Sequence, residues 1–465
     1  MSGRLARLRP HLPLALLVLA GLALRTLLMV AYRPAVLSNA DSARFLHFAH
    51  YSNGLFEDHF GPSGYAAVLK AIRFFTTQFE ATIALQHLMG VGTALLLYAA
   101  VRRLGAPRWA ALVPAAVGLL SGDLMYLEHA PLSESPFLVL AAGGLYAAVR
   151  GLDRSGRWYL WLALGGALLA ASSLFRNVGL ILPPVVAIWA LAATPGAVRE
   201  KLIGAAAAAG GGAVVIGVYA ALAALHGGTM GMSDVSGWNL YGKAAPFADC
   251  KQFTPPKGTR FLCQSSPSSA RPASLYYLWF RGPARRRFGH PPNGNGTLGR
   301  FGRAAIFAQP LDYLADVARQ LPRFVDPGAY HRLYSGGGPF SIGGRYAGTE
   351  AHVTSEIHRD YSAAKLHVGG FVRRMAEWQD TERAGGVVPA ALAILALFGV
   401  VLARGDARRG ALLFALAGAA LVVLPAATLI LIARYTIPPT PIVAAAAGVG
   451  AWAVVDRIAA LARRA

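Results

Sequence analysis

Residues 11–45 read HLPLALLVLAGLALRTLLMVAYRPAVLSNADSARF. The segment His11–Tyr32 is apolar apart from Arg25, and roughly 20 such residues cross a bilayer as a helix. Ahead of it, Met1–Pro10 carries Arg4, Arg7 and Arg9 and no acid. A cleaved signal peptide would have a shorter apolar core and a small-x-small site at its end. Neither is found, so an uncleaved first span is expected. Directly beyond it comes Ser38-Asn39-Ala40-Asp41-Ser42-Ala43-Arg44-Phe45, which places the Asp41 carboxylate at a membrane–water boundary.

The rest of the chain repeats the first pattern. Hydrophobic residues make up 55% of the 465, charged residues 14%, and the mean hydropathy is +0.45. Soluble domains carry about 25% charged residues. The fold class expected is an all-α polytopic membrane protein of about 10 transmembrane helices, because only helices and closed barrels satisfy backbone groups in lipid. The spans read as 12–32, 82–101, 108–121, 134–149, 158–174, 178–194, 201–225, 387–403, 410–432 and 437–455. The formal charge of +22 does not point to nucleic acid, since much of it lies in short connections that set topology. Arg102, Arg103 and Arg108 fall in one such connection, and Arg150, Arg154 and Arg157 in the next. Arg199 with Lys201, then Arg404, Arg408 and Arg409, mark two more, and Arg457, Arg463 and Arg464 end the chain. Both termini are therefore expected in the cytoplasm of a cell whose plasma membrane the protein crosses many times. The Arg-, Ala- and Gly-rich composition suggests a high-GC bacterial source.

Three segments follow from this layout: a membrane module over 1–225 with a first outer loop at 33–81, an extracytoplasmic insert at 226–386, and a membrane module at 387–465. In the first outer loop, Phe45, Phe48, Ala49 and Tyr51 share one helical face, as do Tyr65, Val68, Leu69 and Ile72. These stretches are too polar to span and read as interfacial helices. The insert carries 20 Lys/Arg and 11 Asp/Glu, an excess that long translocated domains tolerate. It reads as mixed in structure, with Gly282–Gly302 as loop and Leu311–Arg319 as a short helix before Pro322. Cys250 and Cys263 both fall in it, with Pro255, Pro256 and Gly258 between them. In an oxidising exterior this spacing favours a disulfide.

The first outer loop is dense in polar groups: Asn39, Asp41, Arg44, His47, His50, Glu57, Asp58 and His59 precede Phe60-Gly61-Pro62-Ser63-Gly64-Tyr65. Here the chain resembles the GT-C glycosyltransferases that use polyprenyl-phosphate sugars, among them bacterial aminoarabinose transferases and protein mannosyltransferases. Members carry an Asp shortly after the first span, an aromatic a few residues on, then a Pro/Gly-Tyr segment opening an amphipathic helix. Asp41 with Phe45, and Gly61-Pro62-Ser63-Gly64-Tyr65, occupy those places. Further similar stretches are Leu85-Gln86-His87, Arg102-Arg103-Leu104-Gly105, Leu132-Ser133-Glu134-Ser135-Pro136, Leu174-Phe175-Arg176-Asn177-Val178-Gly179-Leu180 and Arg434-Tyr435-Thr436-Ile437-Pro438. Many members carry a second carboxylate directly after the first. Here Ser42 follows Asp41, which argues against a metal-assisted scheme.

The resemblance implies an integral-membrane transferase, moving a hexosyl or pentosyl group with inversion from a polyprenyl-phosphate donor to an extracytoplasmic cell-envelope acceptor. Such transfer needs a base for the acceptor hydroxyl and cations for the departing phosphate. Asp41 is the candidate base, its pKa raised by partial burial; the competing reading is an N-cap for a helix over Ser42–Tyr51. Arg176 and Arg434 sit at span ends, where a guanidinium can fork onto phosphate or snorkel to lipid headgroups. Lys70 and Arg73 are weaker phosphate candidates. Glu57, Asp58, His59, Tyr65 and Glu134 are candidates for holding sugar or acceptor, the acids otherwise being solvated. His47, His50 and His59 with Asp41 or Asp58 could offer N/O ligands to a divalent cation, but no cofactor or metal is expected. The rival class is a transporter or flippase for a lipid-linked saccharide, which would carry carboxylates in mid-span. Polar residues cluster instead at the outer boundary, and no internal repeat is evident.

Overall fold

The computed structural model describes residues 11–51, 54–154, 156–226, 231–325, 348–383 and 386–463, together with Phe340 and Ile342. The basic segment Met1–Pro10 and Arg464, both used to orient the chain, lie outside the described residues.

Every expected span is a helix. α1 is Leu12–Ala31. After it come α2, Ala40–His50, and α3, Gly64–Phe75. The membrane helices resume with α4, Phe79–Arg103, α5, Arg108–Leu120, the short α6, Gly122–His129, and α7, Glu134–Arg150. Then follow α8, Trp158–Ser173, α9, Leu182–Ala193, and α10, Val198–Leu225. Among the described residues, six helices are long and apolar enough to cross a membrane, or up to eight if each of two bent pairs is one span. α5 and α6 form one such pair, bent by 47° where the helix breaks and Ser121 caps α6 by accepting from Leu124 N. α8 and α9 are apolar but shorter, so among the described residues up to eight candidate spans are found where about ten were expected.

The described residues of the insert mix short helices with turns and one two-residue strand, as expected. It contributes α11, Ser236–Ala244, α12, Ser274–Trp279, α13, Pro283–Phe288, α14, Asn295–Ala308, α15, Pro310–Gln320, α16, Thr349–Asp360, and α17, Phe371–Arg383. The chain closes with α18, Val387–Leu402, α19, Gly405–Thr428, α20, Ala433–Thr436, and α21, Pro439–Ala462. A two-residue β1, Tyr32–Arg33, pairs antiparallel with β2, His367–Val368, tying the exit of α1 to the insert.

Small residues set the helix spacing. A Cβ at Gly166 would lie 1.9 Å from Ala208 O, so α8 and α10 touch backbone to backbone. Gly450 does the same for α21 against α18, with Leu395 O at 1.8 Å. In lipid no hydrophobic drive brings helices together, and close packing of small residues replaces it.

Gly299 and Gly302 work the same way, and the loop reading of Gly282–Gly302 is corrected. Most of that stretch is α13 and α14, and Gly302 packs on Leu240 of α11, whose backbone would lie 2.8 Å from an added Cβ. Asn295 Oδ1 accepts from Gly237 N at 2.7 Å and Trp238 N at 3.2 Å, capping the first turn of α11. Cys250 and Cys263 form the expected disulfide, beside a core of Trp238, Tyr241, Tyr277 and Phe301.

The two amphipathic helices of the first loop form as expected, but their apolar faces meet protein. Phe45, Leu46 and Ala49 of α2 pack with Tyr65, Ala66 and Leu69 of α3 and with Val353 and Ile357 of α16. The loop and the insert therefore lie at the same end of the bundle, here called the loop end.

Arg25 of α1 is not isolated in mid-membrane. Its Nε and Nη2 donate to Glu128 at 2.8 Å each, and its Nη1 donates to Leu119 O at 2.8 Å. His87 Nδ1 lies 2.9 Å from Glu128 Oε2, and His87 Nε2 lies 3.0 Å from His129 Nδ1. His129 Nε2 ends the row 2.7 Å from Tyr32 O. Every member is partnered, as buried charge requires, and the row pins α1, α4 and α6 together.

Candidate active site

Asp41 stands in the first turn of α2, and the cap lies two residues earlier: Asn39 Oδ1 accepts from Asp41 N at 3.1 Å. This corrects the N-cap alternative. The Asp41 carboxylate projects from the helix start, 42% exposed.

Two arginines hold it. Arg434 Nη1, from α20, donates to Asp41 Oδ2 at 2.5 Å and to Asn39 Oδ1 at 3.3 Å. Arg44, one turn along α2, reaches Asp41 Oδ1 at 3.4 Å and pairs with Asp58 through its other nitrogen. Asp58 Oδ1 also accepts from Phe60 N at 2.9 Å. Burial alone would raise the Asp41 pKa, but the charge of Arg434, then that of Arg44, outweighs it. The carboxyl is held well below the usual carboxylate range, the reverse of the raised value expected. Burial does win at Asp58, which is pushed up despite Arg44.

Arg434 has a second carboxylate. Its Nε and Nη2 fork onto Glu134 at the start of α7, the Nη2–Oε2 contact being 3.1 Å. Arg176, in the turn after α8, donates to the same Glu134 Oε1. Glu134 is fully enclosed, while Arg434 is 13% and Arg176 9% exposed. The result is an alternating row, Arg44–Asp41–Arg434–Glu134–Arg176, assembled from both membrane modules and open at the Asp41 end. The Arg176 guanidinium faces the Tyr435 ring with 5.5 Å to its centroid, and its buried Nε has no partner.

The Gly-Pro-Ser-Gly-Tyr segment places Arg176. Gly64 N donates to Leu174 O at 2.9 Å, and a Cβ on Gly64 would come within 2.3 Å of that oxygen. Only glycine lets the start of α3 seat against the turn. Tyr65 follows, buried, its hydroxyl donating to Gln86. Burial and the nearby Tyr361 and Glu134 charges push it well above its ordinary value. Tyr65 thus ties α3 to α4 through Gln86, outside the row.

The other predicted residues go elsewhere. Lys70 Nζ donates to Tyr51 O at 3.1 Å, and Arg73 pairs with Asp360 of α16 at 2.5 Å. Glu57 is exposed on the loop. His59 Nδ1 lies 2.8 Å from Asp234 of the insert, His50 Nδ1 2.9 Å from Asp360, and His47 Nδ1 3.7 Å from Glu356. These histidines dock the loop onto the insert. Among the described residues, no three His, Cys, Asp or Glu side chains are grouped to hold a metal ion. Arg44 and Asn39 were missed as site residues. The i, i+3 spacing of Asp41 and Arg44 on one helix was the signal for the first.

Residues 66–206 match the model of the dolichyl-phosphate-mannose-protein mannosyltransferase family. The expected resemblance to GT-C glycosyltransferases is thus found over a stretch that holds Glu134 and Arg176 and leaves out Asp41 and Arg434. No curated protein matches the chain. Among solved structures, the Archaeoglobus fulgidus oligosaccharyltransferase in its apo form is 12% identical over 96% of this chain and 51% of its own, with a TM-score of 0.46. The archaeal oligosaccharyltransferase AglB from Archaeoglobus fulgidus, solved with an inhibitory peptide and a dolichol-phosphate, is 15% identical over 98% of this chain and 52% of its own, with a TM-score of 0.45. The chain spans about half the length of these proteins.

Proposed function

We propose that the chain is a multi-pass membrane glycosyltransferase of GT-C type. It transfers a hexosyl or pentosyl group, with inversion, from a polyprenyl-phosphate carrier to an acceptor hydroxyl on the extracytoplasmic side of the plasma membrane. The acceptor is a glycan, lipid or protein of the cell envelope, and the insert shapes its cleft. The observation that carries this reading is the row Arg44–Asp41–Arg434–Glu134–Arg176 at the loop end of the bundle. It sets a carboxylate that is 42% exposed beside guanidiniums, which supports a site for a lipid-borne phosphate and an acceptor hydroxyl. The family match over residues 66–206 agrees with it.

The reaction follows from the row. The donor phosphate approaches Arg176, whose Nε is unengaged, and Arg434, and charge-assisted contacts hold it. Its negative charge competes with Asp41 for Arg434, and the Asp41 carboxylate becomes a stronger base as its counter-ion is shared. The acceptor oxygen bonds to the anomeric carbon as the carbon–oxygen bond to phosphate breaks. The electron pair leaves with the phosphate, and the acceptor proton passes to Asp41. Glu134 keeps both guanidiniums in place throughout and touches neither reactant. A transporter reading would draw on the mid-membrane Arg25–Glu128–His87–His129 row, yet each of those groups is already paired.

The test is transfer by protein reconstituted in lipid, supplied with polyprenyl-phosphate sugars and an envelope extract. Labelled sugar on an envelope component supports the proposal. Movement of donor across the bilayer without transfer sinks it.

A further inference from the structure

The outer insert carries an apolar patch that its own core does not use. In α15, Leu311, Leu314, Ala315 and Ala318 are all exposed, Leu311 by 79% and Leu314 by 57%. Their i, i+3, i+4, i+7 spacing makes one continuous face. Phe307, at the end of α14, adds a ring that is 81% exposed. The exposed Arg303 and Arg319 flank this face.

The opposite face of α15 fixes its height. Tyr313 hydroxyl donates to Ala427 O at 3.1 Å, and Gln320 Oε1 accepts from Leu431 N at 2.8 Å. Asp316 pairs with the fully buried Lys243, whose Nζ also donates to Ala426 O at 2.6 Å. All three oxygens or amides belong to the loop end of α19 or the residues just beyond. α19 has 24 residues and is apolar enough to span. A helix of that length rises about 36 Å, against a hydrocarbon core of ~30 Å, so its last turn falls in the headgroup layer. α15 is clamped to that turn and lies at the same depth.

We infer that the α14–α15 elbow is a membrane anchor of the insert, with Phe307, Leu311 and Leu314 sunk into the lipid leaflet on the loop side and Arg303 and Arg319 reaching its phosphates. A helix with this division of faces rests about 5–10 Å into the boundary of headgroups and acyl chains, and its basic rim snorkels. The partner is bilayer lipid. The anchor rests on the membrane placement of α19 and not on the transfer reaction.

The chain contains only two cysteines, and they are joined to each other, so single cysteines can be labelled selectively. An environment-sensitive bimane would be placed by Leu311→Cys or Leu314→Cys in the full-length protein in nanodiscs. Leu416→Cys, on the exposed side of α19, serves as the lipid reference and Lys257→Cys, in the disulfide loop, as the aqueous one. The 311 and 314 labels should emit to the blue of the 257 label. They should lose most of their emission to headgroup-nitroxide lipids and resist aqueous iodide, with no polyprenyl lipid present. Both substituted side chains are exposed, so folding is not at stake. Iodide quenching equal to that at 257 would overturn the anchor. So would protection from both quenchers that disappears in discs holding one copy each, because a second chain would then be the cover.

Discussion

Arg434 joins Asp41 to Glu134, with one nitrogen 2.5 Å from the Asp41 carboxylate and the others forked onto Glu134. The two acids come from the first membrane module and Arg434 from the last. In the proposed reaction the incoming donor phosphate takes this counter-ion from Asp41.

That exchange has a signature in pH. In the free enzyme Arg434 and Arg44 hold Asp41 well below the ordinary carboxylate value of about 3.9. The acid limb of kcat/KM, which reports the free enzyme, should therefore lie below that value. The limb of kcat, which reports the donor complex, should lie higher. Arg434→Gln should move the kcat/KM limb upward. A depressed native pKa also means that the Asp41 pairing stabilises the fold above the unfolded pKa and is lost as pH falls through the native one. The stability difference between wild type and Asp41→Asn should accordingly shrink only in strong acid.

Arg176→Ala should raise the KM for donor more than it lowers stability, because its Nε is unengaged and its one carboxylate partner keeps Arg434. The lost contact is worth about 1.5–3 kcal/mol, roughly 10–100-fold in donor affinity. Arg176→Lys should restore only part of it, since an ammonium lacks the fork. Initial-rate kinetics against donor concentration would check this. Unchanged KM in both variants would reduce Arg176 to a headgroup anchor.

Glu134→Gln should be the most destabilising change in the row. It leaves two guanidiniums facing each other around a fully enclosed site, and removing one partner of a buried pair costs about 3–5 kcal/mol. Thermal unfolding in detergent should show a clear drop in midpoint. A midpoint unchanged from wild type would mean that Glu134 does not hold the arginines.

Gly64→Ala should lower both stability and activity though it touches no reactant. Its Cβ would sit 2.3 Å from Leu174 O, and overpacking of this kind costs about 1–3 kcal/mol. The displaced turn carries Arg176, so the KM for donor should rise with it. Full activity in a normally stable variant would separate the two.

The spans were legible because an apolar run of bilayer length has one meaning. Asp41, Arg176, Arg434 and Glu134 were legible as residues at span ends. Their union was not, since Glu134 and Arg434 lie 300 positions apart and nothing local marks them as partners. For the same reason the pull on Asp41 was read with the wrong sign: burial is visible in a sequence, a distant counter-ion is not. α14 was missed because its glycines pack against α11, a use that composition cannot distinguish from a turn. The cap was assigned two positions too late, to the Asp at 41 instead of the Asn at 39.

The central claim is that Asp41 takes the acceptor proton, and Asp41→Asn tests it most directly. The substitution keeps the side chain's size, and Asn39 still caps α2, so the protein should still insert and fold, with a lower thermal stability because the charge pairing with Arg434 and Arg44 is lost. Transfer from a polyprenyl-phosphate sugar by the reconstituted variant should fall by roughly 10²–10⁴-fold, the range for a positioned general base, with no rise in KM for donor, because Arg434 no longer has Asp41 as a competing partner. A folded Asp41→Asn protein that transfers sugar at the wild-type rate would contradict the account, and the base would then have to be sought at Glu57 or Asp58.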